Sequence, residues 1–363
     1  MKKPKVVFVS ESIRRDSHAP LRYLKKFQVV HLFLKAPYGD MDKKDFAGSR
    51  QVELKNMLKE IIAEKPDIIQ GVEPFGSRLS LKLSYICLKA KRKTKAKLVV
   101  PVLENRPIEE RFSAFQRAVL RLFCPVYFRE ADRVVALSRG AVQDIRRYFK
   151  KAKIVKGIIW GVWGVDLNLF KPSGDKEKGL IVYVGRIVFE KGLKYLLEGF
   201  KIASSKIPFI HLDLIGQGDF ERELRRFVLE NKLQDKVNFV GVVKNKDVPR
   251  YLARAELCVY PSITTKKWEE QVGTVNFQAL SCGTPVLTTR SGAIPEYIKD
   301  GEAAILVKEK SARDIAKALI KFFSDARLAK KLTSQARETA KKYDIKKEIA
   351  KAEKLFIEVL NEN

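Results

Sequence analysis

Histidine and cysteine are scarce in this chain, with three of the first and four of the second. Cys87, Cys124, Cys258 and Cys282 show no paired spacing, and His18, His31 and His211 stand apart. That excludes a zinc site of the common spacings and a disulfide framework. Reduced cysteines in a cytoplasmic protein are the expectation. No apolar run approaches the ~20 residues that span a bilayer. The basic start, MKKPKVVFVS, has too short an apolar part for a signal peptide and reads as a first strand. Acidic residues are also short: 43 Asp+Glu face 72 Lys+Arg, a net charge of +29. The excess is uneven, because residues 1–170 carry 36 bases against 17 acids and residues 171–363 carry 36 against 26. Such a field attracts nucleic acid, anionic headgroups or phosphorylated substrates, and also suits a heavily solvated, heat-adapted surface. No recognised nucleic-acid module is present, which sets nucleic acid below the other partners.

What the chain does have is length and alternation. Its 363 residues, 45% hydrophobic, suffice for two α/β domains. Strand-like segments are read at Lys5–Val9, Val29–Leu34, Asp67–Val72, Lys97–Leu103, Arg133–Leu137 and Lys153–Ile159, with helical patterns between them. Ser138 suits an N-cap for a helix through Phe149. The polar run Phe170–Gly179 reads as an interdomain linker. Alternation restarts with Leu180–Val184, Phe209–Ile215, Lys236–Val240, Leu257–Tyr260, Val286–Thr289 and Ala303–Val307. The expected organisation is a first domain over 1–170 and a second from 171, each a parallel sheet with covering helices, and a helical, polar end from Ser311 to Leu360.

The most informative stretch is EEQVGTVNFQALSCGTPV, Glu269 to Val286. It reads as a loop, a helix ended by Gly283 and Pro285, and a strand. Glu270 stands beside the helix start, where backbone N–H groups favour an anion. Gln278 lies eight positions on, just over two turns, and so faces nearly the same side. Alone, the pattern fits an amphipathic helix of any α/β protein. It resembles, however, the nucleotide-sugar site of the family 4 retaining glycosyltransferases of GT-B fold, also called glycosyl transferases group 1. Glu270 matches the family's first Glu, and Ala279, Leu280, Cys282, Gly283, Pro285 and Val286 match its tail, while Gln278 replaces the second Glu.

The resemblance continues elsewhere. Gly164 and Asp166, with Phe170 and Pro172, look like the family's Asn-Gly-Val-Asp…Phe-x-Pro, with Trp163 in place of Asn. Tyr183 to Phe200 looks like its Gly-Arg…Glu-Lys-Gly passage, with Gly185, Arg186, Lys191 and Gly192. A guanidinium and an ammonium aimed at a departing diphosphate would stabilise the charge that develops there. Gly216 and Gly218 resemble the family's Gly-x-Gly turn, whose backbone would approach the nucleotide. Val242 and Val243 fall where the base is held. The resemblance thus implies catalytic roles for Arg186, Lys191 and Glu270. It implies donor contacts from Gly164, Gly185, Gly216, Gly218, Val242, Val243, Gln271, Val272, Gly273, Thr274 and Gln278. It calls for no metal and no cofactor, the sugar nucleotide (a UDP- or GDP-sugar) being the substrate.

The first half departs more. Where many members have His-Asp, this chain has Glu104 and Asn105 before Arg106-Pro107, and Glu270-Gln271-Val272-Gly273 in the donor loop, which resembles a Glu-Asn / Glu-Gln-x-Gly subset. Glu104 and Asn105 could hydrogen-bond an acceptor, or Asn105 could cap a helix before Pro107. The first loop is read over Ser10 to Pro20 and lacks glycine; Arg14, Arg15 and His18 could grip an acceptor phosphate there or be ordinary loop charges. Glu73, in a donor-loop look-alike EPFG, is a further acceptor candidate.

The resemblance therefore implies the α/β GT-B fold: two Rossmann-like, doubly wound parallel-sheet domains facing a cleft, over 1–170 and 171–344, with a C-terminal helix over 345–363 returning to the first. It implies retaining hexosyl transfer from a nucleotide sugar to a glycan or lipid-phosphate-linked acceptor. A catalytically silent relative that binds a sugar nucleotide, or a basic interaction protein, is the alternative. Two stretches suit an anionic membrane surface: the basic run Leu88–Lys97, and Ile108–Glu130, which mixes aromatics with arginine.

Overall fold

Among the described residues every strand pairing is parallel, in two separate sheets. The structure is a computed structural model that describes residues 3–38 and 48–362. Among these, the first sheet contains β1 (Lys5–Arg14), β2 (Gln28–Tyr38), β3 (Ser49–Gln51), β4 (Ile68–Gln70), β5 (Lys97–Val102), β6 (Arg133–Ala136) and β7 (Ile154–Val155). Their order is β3-β2-β1-β4-β5-β6-β7. The second contains β8 (Glu177–Val184), β9 (His211–Ile215), β10 (Val237–Gly241), β11 (Ala255–Tyr260), β12 (Val286–Thr289) and β13 (Ala304–Val307), in the order β10-β9-β8-β11-β12-β13. Both are doubly wound, as expected. In each, strand order reverses once, between β1 and β4 and between β8 and β11. Open α/β sheets bind ligands beyond the carboxyl ends of the strands at such a reversal.

The strands are rich in valine, isoleucine and leucine because both faces of a parallel sheet are covered by helices. In the first unit, Val7, Ile69, Leu98, Val100 and Val134 point into one core with Leu83, Cys87 and Tyr127 from the covering helices. Val6, Phe8, Ile68, Val99 and Val135 form the other. The helix Ile345–Asn361 closes this second core: Phe356 meets Phe8, Phe27 and Trp160 at centroid distances of 6.1, 5.6 and 5.5 Å. Glu348 accepts a hydrogen bond from the Ile159 backbone N–H at 2.9 Å.

Two compact units result, Met1–Trp163 with Ile345–Asn363, and Gly164–Asp344. The polar run beginning at Phe170 is not a free linker. Phe170 is buried, its carbonyl accepts from the Arg337 guanidinium at 2.9 Å, and β8 has already begun at Glu177. β1 also runs further than its sequence suggested, because Ser12 and Arg14 still pair with β2. β3 was not expected at all; three residues with one face exposed carry no periodic signal. Among the described residues, no helix is long and apolar enough to cross a membrane.

Candidate functional site

At the reversal of the second sheet, the chain leaving β8 and the chain leaving β11 meet. After β8 comes Gly185, then the exposed Arg186, then a short 3-10 turn, Phe189–Lys191. Gly192 ends that turn with φ at +69°, and a Cβ there would lie 2.0 Å from the Pro261 carbonyl oxygen. Only glycine therefore allows the two exits to close on each other.

This closure places Lys191 against Glu270. The ammonium lies 2.6 Å from Glu270 Oε2 and 2.5 Å from the Tyr260 hydroxyl. Ser262 donates to the same carboxylate oxygen at 2.9 Å. Lys191 is 7% exposed and Glu270 8%. The ammonium also lies over two rings, 4.5 Å from the Trp268 centroid and 4.7 Å from that of Tyr260. Burial lowers the Lys191 pKa, opposed chiefly by the charge of Glu270; Arg186 adds to the lowering. Two of the three ammonium N–H donors are thus engaged and one is left.

Beyond Glu270 the loop ends at Gly273, and a helix spans Thr274–Ser281. Glu270 is therefore four residues outside the helix, and its spacing to Gln278 does not represent two helical turns. Thr274 and Gln278 share a face instead, one turn apart, both half-buried. Val272 is buried. In the first turn of the helix, the Asn276 amide is fully buried with neither its oxygen nor its nitrogen hydrogen-bonded. Gly216 and Gly218 have a packing role: a Cβ on either would lie 1.9 Å from the Gly185 oxygen or 2.1 Å from that of Ile187. Gly164 begins the second unit. Val242 and Val243 line a broad depression of about 780 Å3 with Lys244, Arg250 and Tyr251. None of Arg186, Lys191, Glu270 and Gln278 lines it.

A second cavity, about 210 Å3, lies at the reversal of the first sheet. Its wall combines Ser10, Ser12 and Arg14 from β1 with Gln70 and Glu73 from the exit of β4, and Trp160 and Trp163 close it. The Glu73 carboxylate accepts from the backbone N–H groups of Leu103 and Glu104, both at 2.9 Å. Burial nevertheless pushes its pKa up to about 7, with the nearby Glu104 charge adding to the rise. His31 bonds Ser10 Oγ through Nε2 and His18 through Nδ1, each at 2.9 Å. Burial, then the neighbouring His18, lowers the His31 pKa to about 3, so it is neutral.

The acceptor candidates read from sequence are thus divided. Arg14 and Glu73 line this cavity. His18 is not a loop charge: it is buried, held by His31. Arg15 starts a short helical turn, Arg15–His18. Glu104 is buried in ion pairs with Arg106 and Arg111, at 3.0 and 2.9 Å, which occupy both its oxygens. The cap of the 3-10 turn at Ile108 is Pro107, not Asn105, whose backbone oxygen instead packs against Gly140. Tyr260, Trp268, Asn276 and His31 were not singled out in the sequence. Trp268, two residues before Glu270 in a polar loop, gave the clearest missed signal. Among the described residues, no group of three or more His, Cys, Asp or Glu could hold a metal.

Residues 166–339 match the family Glycosyl transferases group 1. An uncharacterized glycosyltransferase of Methanocaldococcus jannaschii is 25% identical over 239 residues, covering 66% of this chain and 63% of the relative. The sulfoquinovosyl transferase of Arabidopsis thaliana is 26% identical over 311 residues, covering 79% of this chain and 56% of the relative. The matches thus span between about half and two thirds of the curated relatives' length. Among solved structures, HepE of Anabaena in complex with UDP superimposes with a TM-score of 0.76 at 17% identity, covering 96% of this chain and 99% of that one. The fold is that of the GT-B glycosyltransferases.

Proposed function

We propose that this protein is a retaining glycosyltransferase that moves a hexosyl group from a nucleoside-diphosphate sugar to a glycan or lipid-phosphate-linked acceptor. The observation that carries the reading is the Lys191–Glu270 pair at the strand-order reversal of the second sheet, inside the segment that matches the transferase family. The UDP bound by HepE, a neighbour in fold, supports a nucleotide donor.

In this reading the remaining N–H of Lys191 and the exposed guanidinium of Arg186 receive the diphosphate as the glycosidic bond breaks. Charge-assisted hydrogen bonds of this kind contribute about 1.5–3 kcal/mol each. Glu270, fixed by Lys191 and Ser262, positions the donor sugar. Gln278 reaches the ribose, and the backbone N–H groups of Gly273 and Thr274 face phosphate oxygens. The acceptor occupies the 210 Å3 cavity of the first unit, with the Arg14 guanidinium as a hydrogen-bond donor and Glu73, whose pKa is raised to about 7, as a donor in its protonated form. The leaving phosphate takes the proton of the attacking acceptor hydroxyl.

The test is a thermal-shift screen of nucleoside diphosphates and their sugars, followed by NMR of the product anomer. A ligand at 100 times its dissociation constant raises stability by ~2.7 kcal/mol. The expected result is a shift with one base, reduced in Arg186→Ala, and a product with the donor's anomeric configuration. No shift with any nucleotide overturns the reading, and an inverted product overturns the retaining mechanism.

A further inference from the structure

The helices Arg78–Thr94 and Ala114–Glu130 lie side by side in the first unit, where Tyr85 meets Phe123 with ring centroids 6.3 Å apart. Each buries one face in the core, through Leu83 and Cys87 on one and Leu120, Cys124 and Phe128 on the other. The outward faces are not ordinary solvated surfaces. On Ala114–Glu130, Phe115, Ala118 and Leu122 are exposed at spacings of three and four, which puts them in one stripe. Phe115 is 78% exposed and Leu122 79%, so two large apolar side chains stand in water. On Arg78–Thr94 the exposed stripe is Arg78, Lys82, Tyr85, Lys89 and Arg92. The Lys89 ammonium stands 4.6 Å over the Tyr85 ring. Arg121 and Arg129 carry exposed positive charge onto the neighbouring helix. Glu130 is the only acid in the sequence of either helix, and it is paired with Arg92.

We propose that this double-helix face docks on an anionic phospholipid bilayer. Phe115 and Leu122 enter the boundary between headgroups and acyl chains, and the flanking lysines and arginines meet lipid phosphates. A nucleic acid would match the charge but has no use for Leu122, which cannot stack on a base as an aromatic ring does. A second copy of the chain would set this cationic face against itself across a two-fold axis. The inference is independent of the transferase reading.

The test is flotation of the full chain with phosphatidylcholine vesicles, with and without phosphatidylglycerol. The protein is expected to float only with the anionic vesicles and to be released by salt. Lys82→Gln and Lys89→Gln each weaken binding about fivefold. Phe115→Ser with Leu122→Ser weakens it roughly tenfold or more, with an unchanged melting temperature because both side chains are exposed. Failure to float with either vesicle overturns the proposal, as does binding that the Phe115→Ser/Leu122→Ser change leaves intact. Self-association abolished by that change, or RNA binding that survives it without flotation, overturns it in favour of a protein or nucleic-acid partner.

Discussion

The Lys191 ammonium and the Glu270 carboxylate lie 2.6 Å apart, although 79 positions separate them in the chain. The contact joins the exits of two adjacent strands, and it takes two charges out of water. Such a pair contributes little net stability, because desolvation offsets the attraction, but removing one partner leaves a buried charge alone. Lys191→Met should therefore destabilise the protein by about 3–5 kcal/mol in urea unfolding. The double variant Lys191→Met/Glu270→Gln should regain most of that loss. If the double variant loses as much as the two single ones together, the pair is not coupled as described.

Gln278 occupies the position where the resembled family has a second glutamate. A carboxylate there would accept ribose hydroxyls with charge-assisted bonds, about twice as strong as those of a neutral amide. Gln278→Glu is expected to preserve nucleotide binding or tighten it by about 1 kcal/mol, read by calorimetry with the nucleotide that gives a thermal shift. A large loss of affinity would remove Gln278 from the ribose contact.

Gly192 shows how a motif residue can be fixed by packing. Its φ of +69° costs a side chain about 1–2 kcal/mol, and the Pro261 oxygen 2.0 Å from a Cβ is backbone that cannot rotate away. Gly192→Ala should lower stability by more than ~2 kcal/mol and separate Lys191 from Glu270. Gly174→Ala is the control: φ is +64° there, but nothing lies within 4 Å of the added Cβ. Equal melting temperatures for the two variants would contradict the close approach.

Much of this was legible in the sequence. Each long buried strand left an apolar run, and Ser138 announced its helix, where it does accept from the Ala141 N–H. Lys191, Glu270 and Gly273 stood in short motifs whose spacing is set by one loop. What stayed hidden depends on contacts between distant segments. Glu104 looked available until Arg106 and Arg111 closed on it, and His18 looked like a loop residue until the helical turn Arg15–His18 set it against His31. His31 sits mid-strand in an apolar run, where nothing local tells a core histidine from a partner of His18.

The cavity at the reversal of the first sheet holds two groups that titrate in opposite senses. His31 falls from 6.5 to about 3 on folding, so below pH 6.5 the unfolded chain binds the extra proton and stability is lost as pH falls towards 3. Glu73 rises from 4.5 to about 7, so the folded state holds the extra proton and stability is lost as pH rises from 4.5 to 7. At one pKa unit per 1.36 kcal/mol, each changes stability by roughly 2–3 kcal/mol between pH 4.5 and 6.5, with opposite sign. The two contributions nearly cancel in the intact protein, and single variants should expose them. Glu73→Gln, whose amide oxygen can still accept from Leu103 and Glu104, should leave the acid loss of His31 uncompensated. Its stability should then climb from pH 4.5 to 6.5 relative to the parent. His31→Asn should do the reverse and fall over the same range. Urea midpoints measured across pH 4.5–7 decide the matter: parallel curves for the parent and both variants would mean that neither group is shifted by the cavity.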